Sequence, residues 1–187
     1  MKNEPGITPA SDTPSFRPLA ARRSGPLAGT IRVPGDKSIS HRALMLGGLA
    51  VGETHVTGLL EGEDVLATAR AMDAMGASIV READGAWRIN GVGIGGLTEP
   101  DAPLDMGNAG TAARLLMGVV AGHPFTSFFT GDASLRGRPM KRVIAPLEMM
   151  GARVVSRSEG RLPLAVCGTG TPMPLDYALP VPSAQVK

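Results

Sequence analysis

The chain of 187 residues carries one cysteine, Cys167. No intrachain disulfide can form, which suits a reducing compartment and leaves the fold to packing alone. Cys167 reads as a buried core thiol rather than a nucleophile. Aromatic residues make up only 3% of the chain. The core must therefore be aliphatic, built from Leu, Val, Ile, Ala and the ten methionines. No apolar run approaches the roughly 18 residues of a membrane span, so no membrane role is expected. Met1–Ser24 holds several prolines and lacks the apolar core of a secretory signal. Glu4 and Asp12 weigh weakly against a plastid transit peptide, and a cytoplasmic setting is expected. Residues 1–14 read as a disordered tail, and residues 15–26 as a short strand near Ser15–Leu19 followed by a linker. The net charge is only +2, and basic residues do not interleave with aromatics, which argues against nucleic acid as a partner. The Walker pattern is absent too, so a lysine in a glycine-containing loop does not imply ATP.

What is present is concentrated in Pro34-Gly35-Asp36-Lys37-Ser38-Ile39-Ser40-His41-Arg42. A strand-like segment, Thr30–Val33, precedes it and an apolar run, Ala43–Leu46, follows. A turn feeding a helix N-terminus presents unpaired N–H groups, and the helix dipole favours an anion there. Lys37, Ser38 and Arg42 add donors and charge, so the loop reads as a seat for phosphate or carboxylate. The plainer alternative is that Ser38 or Ser40 caps the helix and Lys37 is solvated.

The chain also repeats itself. Gly35–Met45 aligns with Gly107-Asn108-Ala109-Gly110-Thr111-Ala112-Ala113-Arg114-Leu115-Leu116-Met117, pairing Gly35 with Gly107 and Arg42 with Arg114. Downstream, Ala71–Ala77 aligns with Pro146–Ala152. One helix is expected from Glu63-Asp64, with Val65, Leu66, Ala69, Met72 and Met75 on one face. A second is expected from Pro139, with Val143, Ile144, Leu147 and Met150 as its stripe. Gly76 and Gly151 read as left-handed C-caps. Hairpins follow, Ser78–Arg81 to Trp87–Ile89 through Asp84-Gly85, and Arg153–Ser156 to Leu164–Val166 through Glu159-Gly160. Each unit thus reads βαβαββ, over about residues 28–93 and 104–168 within 27–179. Pro180–Gln185 resembles Arg32–Lys37, so residues 180–187 read as the start of a third unit. A turn left without its helix points to a piece of a longer protein.

These motifs, together with Gly131-Asp132-Ala133-Ser134-Leu135, Arg138-Pro139 and Ser183-Ala184-Gln185-Val186-Lys187, resemble the 5-enolpyruvylshikimate-3-phosphate synthases. The Gly-Asp-Lys and Ser-Ala-Gln-x-Lys forms resemble the second class of that family. The resemblance runs from about Phe16 to Lys187. It implies an α/β (α+β) inverse barrel of βαβαββ units, three to a lobe, with two units of one lobe present here. It implies transfer of the enolpyruvyl group of phosphoenolpyruvate to the 5-hydroxyl of shikimate 3-phosphate, with release of phosphate. No metal or organic cofactor is implied, and the full enzyme is expected to be a monomer.

Position by position, the resemblance assigns Lys37 to both substrates and Ser38 and Arg42 to shikimate 3-phosphate. Gly110 and Arg138 fall to phosphoenolpyruvate. Ser183, Ala184 (through its backbone) and Gln185 fall to shikimate 3-phosphate, with Gln185 also reaching phosphoenolpyruvate. The general acid–base residues are expected outside this chain. Arg114, His41 and Asp64 read as structural. Glycine at position 110, where alanine excludes the inhibitor glyphosate in this family, implies no tolerance from that position. Two rival readings remain. The related transferase acting on UDP-N-acetylglucosamine has Lys-Asn in the first loop, whereas Ser38 follows Lys37 here. The other rival is a non-catalytic, substrate-binding fragment, and the isolated chain is expected to be inactive.

Overall fold

The computed structural model describes residues 19–23, 25–180 and 182–186. The expected tail over residues 1–14 and most of the Ser15–Leu19 segment lie outside the described residues. The chain divides into two units, Met1–Arg32 and Val33–Lys187. In the first, the described residues take neither helix nor strand, and Leu19, Leu27 and Ile31 are exposed. The expected strand Thr30–Val33 is absent. Ile31 and Val33 are 84% and 71% exposed, and a short segment with no apolar face to bury gains too little to hold extended pairing.

The second unit begins with α1 (Lys37–Leu49), β1 (Val51–Val56), α2 (Glu63–Ala74), β2 (Ser78–Arg81) and β3 (Trp87–Val92). It continues with β4 (Leu104–Asp105), α3 (Gly110–Ala121), β5 (Thr126–Thr130), α4 (Ala133–Arg136), α5 (Lys141–Met149), β6 (Arg153–Arg157) and β7 (Arg161–Cys167). The strands form two sheets, ordered β1-β3-β2 and β4-β5-β7-β6. In both, the last strand pairs antiparallel with its two neighbours and so sits between them. The mixed α/β architecture and its internal repetition thus agree with the alignment of the two halves.

Local chemistry explains most boundaries. Glu63 and Asp64 open α2, where the helix dipole favours acidic side chains. Gly76 and Gly151 follow α2 and α5 with φ of 100° and 104°, the left-handed conformation that glycine adopts without penalty. One boundary departs from expectation. Asp132 accepts from Leu135 N at 2.7 Å and caps the one-turn helix α4. Consequently the next helix starts at Lys141 instead of Pro139, after the break at Gly137–Met140.

The core is aliphatic and rich in methionine. Met72, Met75, Met106, Leu116, Met117, Phe129, Leu135, Met140 and Leu162 are fully enclosed in one cluster. A smaller cluster joins Leu44, Val65, Ala69, Trp87 and Ile89 between the first two helices and their sheet. Each large buried aliphatic contributes roughly 1.5–3 kcal/mol of transfer free energy. Cys167 is half-buried at the end of β7, not enclosed, with an Arg153 nitrogen 3.9 Å from its sulfur. As the last strand residue it emerges where the core tapers.

Candidate functional site

The first candidate loop is built from close backbone approach. A Cβ on Gly35 would lie 2.1 Å from Gly58 O and 3.0 Å from Leu60 N, so only glycine fits there. Asp36 caps α1 by accepting from Ile39 N at 2.8 Å. Ser40 is buried; its hydroxyl donates to Asp36 O at 2.7 Å and accepts from Leu60 N at 3.0 Å, pinning residues 58–60 to the helix start. The cap is thus Asp36, and Ser38 is left exposed with its side chain outside these bonds. Lys37 pairs with Asp64 and is half-exposed. An ammonium has three donors, so two remain for an anion. Arg42 donates Nη1 to Ser38 O at 3.1 Å.

Beneath this loop lies His41, fully buried, with Nδ1 2.7 Å from Thr68 Oγ1. Burial lowers its pKa, and the neighbouring Lys37 and Arg42 charges push the same way against Asp64. The ring is held neutral under a cationic rim. His41 and Asp64 thus have side-chain partners across 27 residues, Thr68 and Lys37. No local spacing signals the Lys37–Asp64 pair, because 27 residues separate its partners.

The second candidate loop precedes α3. The N-cap of this helix, Ala109, supplies no side-chain acceptor, so the first-turn N–H groups have no side-chain cap. Gly110 is enclosed by guanidinium groups: a Cβ there would lie 2.9 Å from Arg138 Nη1 and 3.2 Å from Arg114 Nη1. Arg114 is only 7% exposed and donates Nη1 to Gly110 O at 3.1 Å. Burial lowers its pKa, and Arg142 and Arg138 lower it further. Arg138 donates Nη2 to Asn108 Oδ1 and to Ser134 Oγ at 3.1 Å. The third segment reaches the same place. Residues 183–186 form a turn, Val186 packs on the core, and Gln185 Nε2 donates to Thr111 Oγ1 at 3.2 Å.

Gly110, Arg138 and Gln185 are thus brought together at the N-terminus of α3, with Arg114 beneath. Ser183 and Ala184 belong to the same turn as Gln185. Lys37, Ser38 and Arg42 cluster separately at the N-terminus of α1, and no hydrogen bond or ion pair among the described residues joins the two clusters. The apolar cleft on the second sheet, lined by Phe128, Val155, Pro163 and Ala165, contains none of the candidates. Among the described residues no group of three or more His, Cys, Asp or Glu is placed to hold a metal, and no helix is long and apolar enough to cross a membrane.

Residues 21–187 match the sequence model of EPSP synthase (3-phosphoshikimate 1-carboxyvinyltransferase). A 3-phosphoshikimate 1-carboxyvinyltransferase of Rhodospirillum rubrum is 70% identical over 175 residues, covering 91% of this chain and 39% of that protein. One from Paramagnetospirillum magneticum is 69% identical over 171 residues, covering 91% and 38%. The structure of EPSP synthase from Acinetobacter baumannii superposes with a TM-score of 0.81 at 49% identity, covering 85% of this chain and 36% of that one. The chain therefore spans about two fifths of the length of the relatives it matches. With a family match over most of its length and the same fold, the chain belongs to the EPSP synthase family.

Proposed function

We propose that this chain supplies part of the substrate site of an enzyme that transfers the enolpyruvyl group of phosphoenolpyruvate to the 5-hydroxyl of shikimate 3-phosphate and releases phosphate. The observation that carries this reading is the uncapped N-terminus of α3, where Gly110 lies against Arg138 and Arg114 and Gln185 arrives from the distant third segment. Three features there favour a compact anion. The first-turn N–H groups have no side-chain cap, the partly exposed Arg138 lies beside them with buried Arg114 beneath, and the missing Cβ lets the Arg138 guanidinium approach the backbone. A forked guanidinium suits a carboxylate or phosphate better than an ammonium does.

In this reading Gly110, Arg138 and Gln185 hold phosphoenolpyruvate. Lys37 contacts it from the α1 loop and lies near the sugar phosphate. Ser38, Arg42, Ser183, the Ala184 backbone and Gln185 hold shikimate 3-phosphate. The chain's own contribution is binding and orientation: it gathers two polyanions and offsets their charge with fixed cations. Glyphosate competes at the phosphoenolpyruvate seat, and the complete enzyme works as a cytoplasmic monomer. The general acid and base, and the surface that closes over the substrates, come from outside these residues.

The test is to complete this chain with the C-terminal remainder of the Rhodospirillum rubrum relative and assay phosphate release from the two substrates. The completed enzyme is expected to turn over, and Arg138→Lys is expected to raise KM for phosphoenolpyruvate. The 187-residue chain alone is expected to release none. Turnover with UDP-N-acetylglucosamine in place of shikimate 3-phosphate would overturn the assignment.

A further inference from the structure

We infer that Asn108 and Asp132 are positioning residues, forming a hydrogen-bond relay that aims the Arg138 guanidinium at Gly110. This rests on the reading of Arg138 as the phosphoenolpyruvate-binding cation. The relay starts at Asp132, whose Oδ1 accepts from Leu135 N at 2.7 Å. Its other oxygen, Oδ2, accepts from Asn108 Nδ2 at 2.7 Å. Asn108 Oδ1 then accepts from Arg138 Nη2, and Ser134 Oγ takes a second bond from the same nitrogen. Both N–H groups of Nη2 are thereby used. Nη1, the nitrogen beside Gly110, and Nε are left to meet a ligand.

The two ends of the relay are themselves fixed. Asp132 N donates to Gly107 O at 2.8 Å, and Gly107 N donates to Asp105 Oδ1 at 2.9 Å. A Cβ on Gly131 would lie 2.6 Å from Gly107 O, so the loops after β4 and β5 touch backbone to backbone. The Leu135 N–H and the Asn108 amide hold the Asp132 carboxyl below its ordinary pKa. It therefore remains a pure acceptor near neutral pH.

Polarity dictates what can stand between its ends. A carboxylate only accepts and a guanidinium only donates. The residue between them must donate on one side and accept on the other, as a carboxamide does. Asp132→Asn keeps the shape and the α4 cap, since its Oδ1 still accepts from Leu135. It then turns an NH2 towards the Asn108 NH2. Asn108 must rotate, and its NH2 meets the guanidinium, so donors oppose donors. The double variant Asn108→Asp/Asp132→Asn reverses the logic: the amide at 132 donates to the carboxylate at 108, which accepts from Arg138.

The experiment measures steady-state kinetics of the completed enzyme with these substitutions. Asp132→Asn is expected to raise KM for phosphoenolpyruvate about tenfold, as losing a hydrogen bond to a charged group would. Values of kcat and of KM for shikimate 3-phosphate should change less than about threefold by the same scale. The double variant is expected to restore KM for phosphoenolpyruvate to within about threefold of the parent. An unchanged KM in Asp132→Asn, or a double variant no better than Asp132→Asn, overturns the relay. If Asp132→Asn does not fold, the double variant decides alone: a KM near the parent's supports the relay, and a tenfold rise refutes it. Arg138→Lys separates this from the functional reading. No change in KM for phosphoenolpyruvate in Arg138→Lys refutes the anion role itself, whereas a rise there with none in Asp132→Asn refutes only the relay.

Discussion

Gly110→Ala is the smallest perturbation that tests the geometry of the α3 seat. The new methyl carbon would lie 2.9 Å from Arg138 Nη1, 3.2 Å from Arg114 Nη1 and 3.5 Å from Leu135 Cδ1. Ordinary carbon–nitrogen contact needs about 3.5 Å, so Arg138 must withdraw by roughly 0.6 Å and Arg114 by about half as much. Arg114 is poorly able to yield, being buried and bonded to Gly110 O. Arg138 is partly exposed and gives way, pivoting on its Nη2 bonds to Asn108 and Ser134. A charge-assisted bond stretched by that amount loses about 1 kcal/mol of its strength, so KM for phosphoenolpyruvate should rise about fivefold. On the proposed function, glyphosate is the ligand expected to meet the new methyl more closely than phosphoenolpyruvate does. Overpacking adds about 1–3 kcal/mol to its loss, and its inhibition constant should rise at least about thirtyfold. Both constants come from one phosphate-release assay of the completed enzyme. Equal rises in the two would show that the methyl does not discriminate by size, and the placement of Arg138 against Gly110 would be wrong.

Two further substitutions address the α1 loop. Gly35→Ala sets a methyl against the backbone of Gly58 and Leu60, neither of which can rotate away. It should part residues 58–60 from Ser40 and lower the midpoint of thermal unfolding by about 5 °C; an unchanged midpoint would contradict the close approach. His41 has its pKa lowered from 6.5, by burial first and by Lys37 next. The unfolded chain then binds the proton more readily than the native state does. The contribution of His41 is thus complete above about pH 6.5 and is lost as pH falls towards the lower native value. His41→Asn should flatten the decline in melting temperature between about pH 7.5 and 5.5, where the depressed carboxyls of Asp132, Glu61 and Glu159 stay charged. Parallel pH profiles in variant and parent would refute a neutral buried ring.

The elements most legible in the sequence are those set within a few residues. Acidic residues mark the start of α2, positive-φ glycines end α2 and α5, and Asp84-Gly85 and Glu159-Gly160 turn the hairpins, with Glu159 and Gly160 both at positive φ. Those lost are decided by tertiary contact. Thr30–Val33 has strand composition but no face to bury; the late start of α5 is a local exception, set where Asp132 caps α4 through Leu135, three residues along the chain. The site divides in the same way. Gly110, Arg138 and Gln185 are motif residues, and they meet at α3. Asp64 is a helix-start residue by its neighbours in sequence and the counter-ion of Lys37 in space. Asn108 and Asp132 lie inside recognisable motifs, yet their pairing across 24 residues has no local signature.

Arg42 and Arg114 show how a repeat can keep a geometry and change its use. They occupy the same position in the two units, and each donates Nη1 to the carbonyl four residues back at 3.1 Å, Ser38 O in one helix and Gly110 O in the other. The shared position braces the first helical turn. What differs is burial. Arg42 is partly exposed and keeps donors for a ligand, while Arg114 is enclosed, with Arg138 and Arg142 adding repulsion to its desolvation. Concentrating like charge beside an uncapped helix N-terminus is unfavourable in itself. On the proposed function, an anion bound by Arg138 beside this helix start would offset the repulsion. In that reading the same cluster that weakens the unliganded fold locally strengthens anion binding, with Arg114 acting through its field rather than by contact.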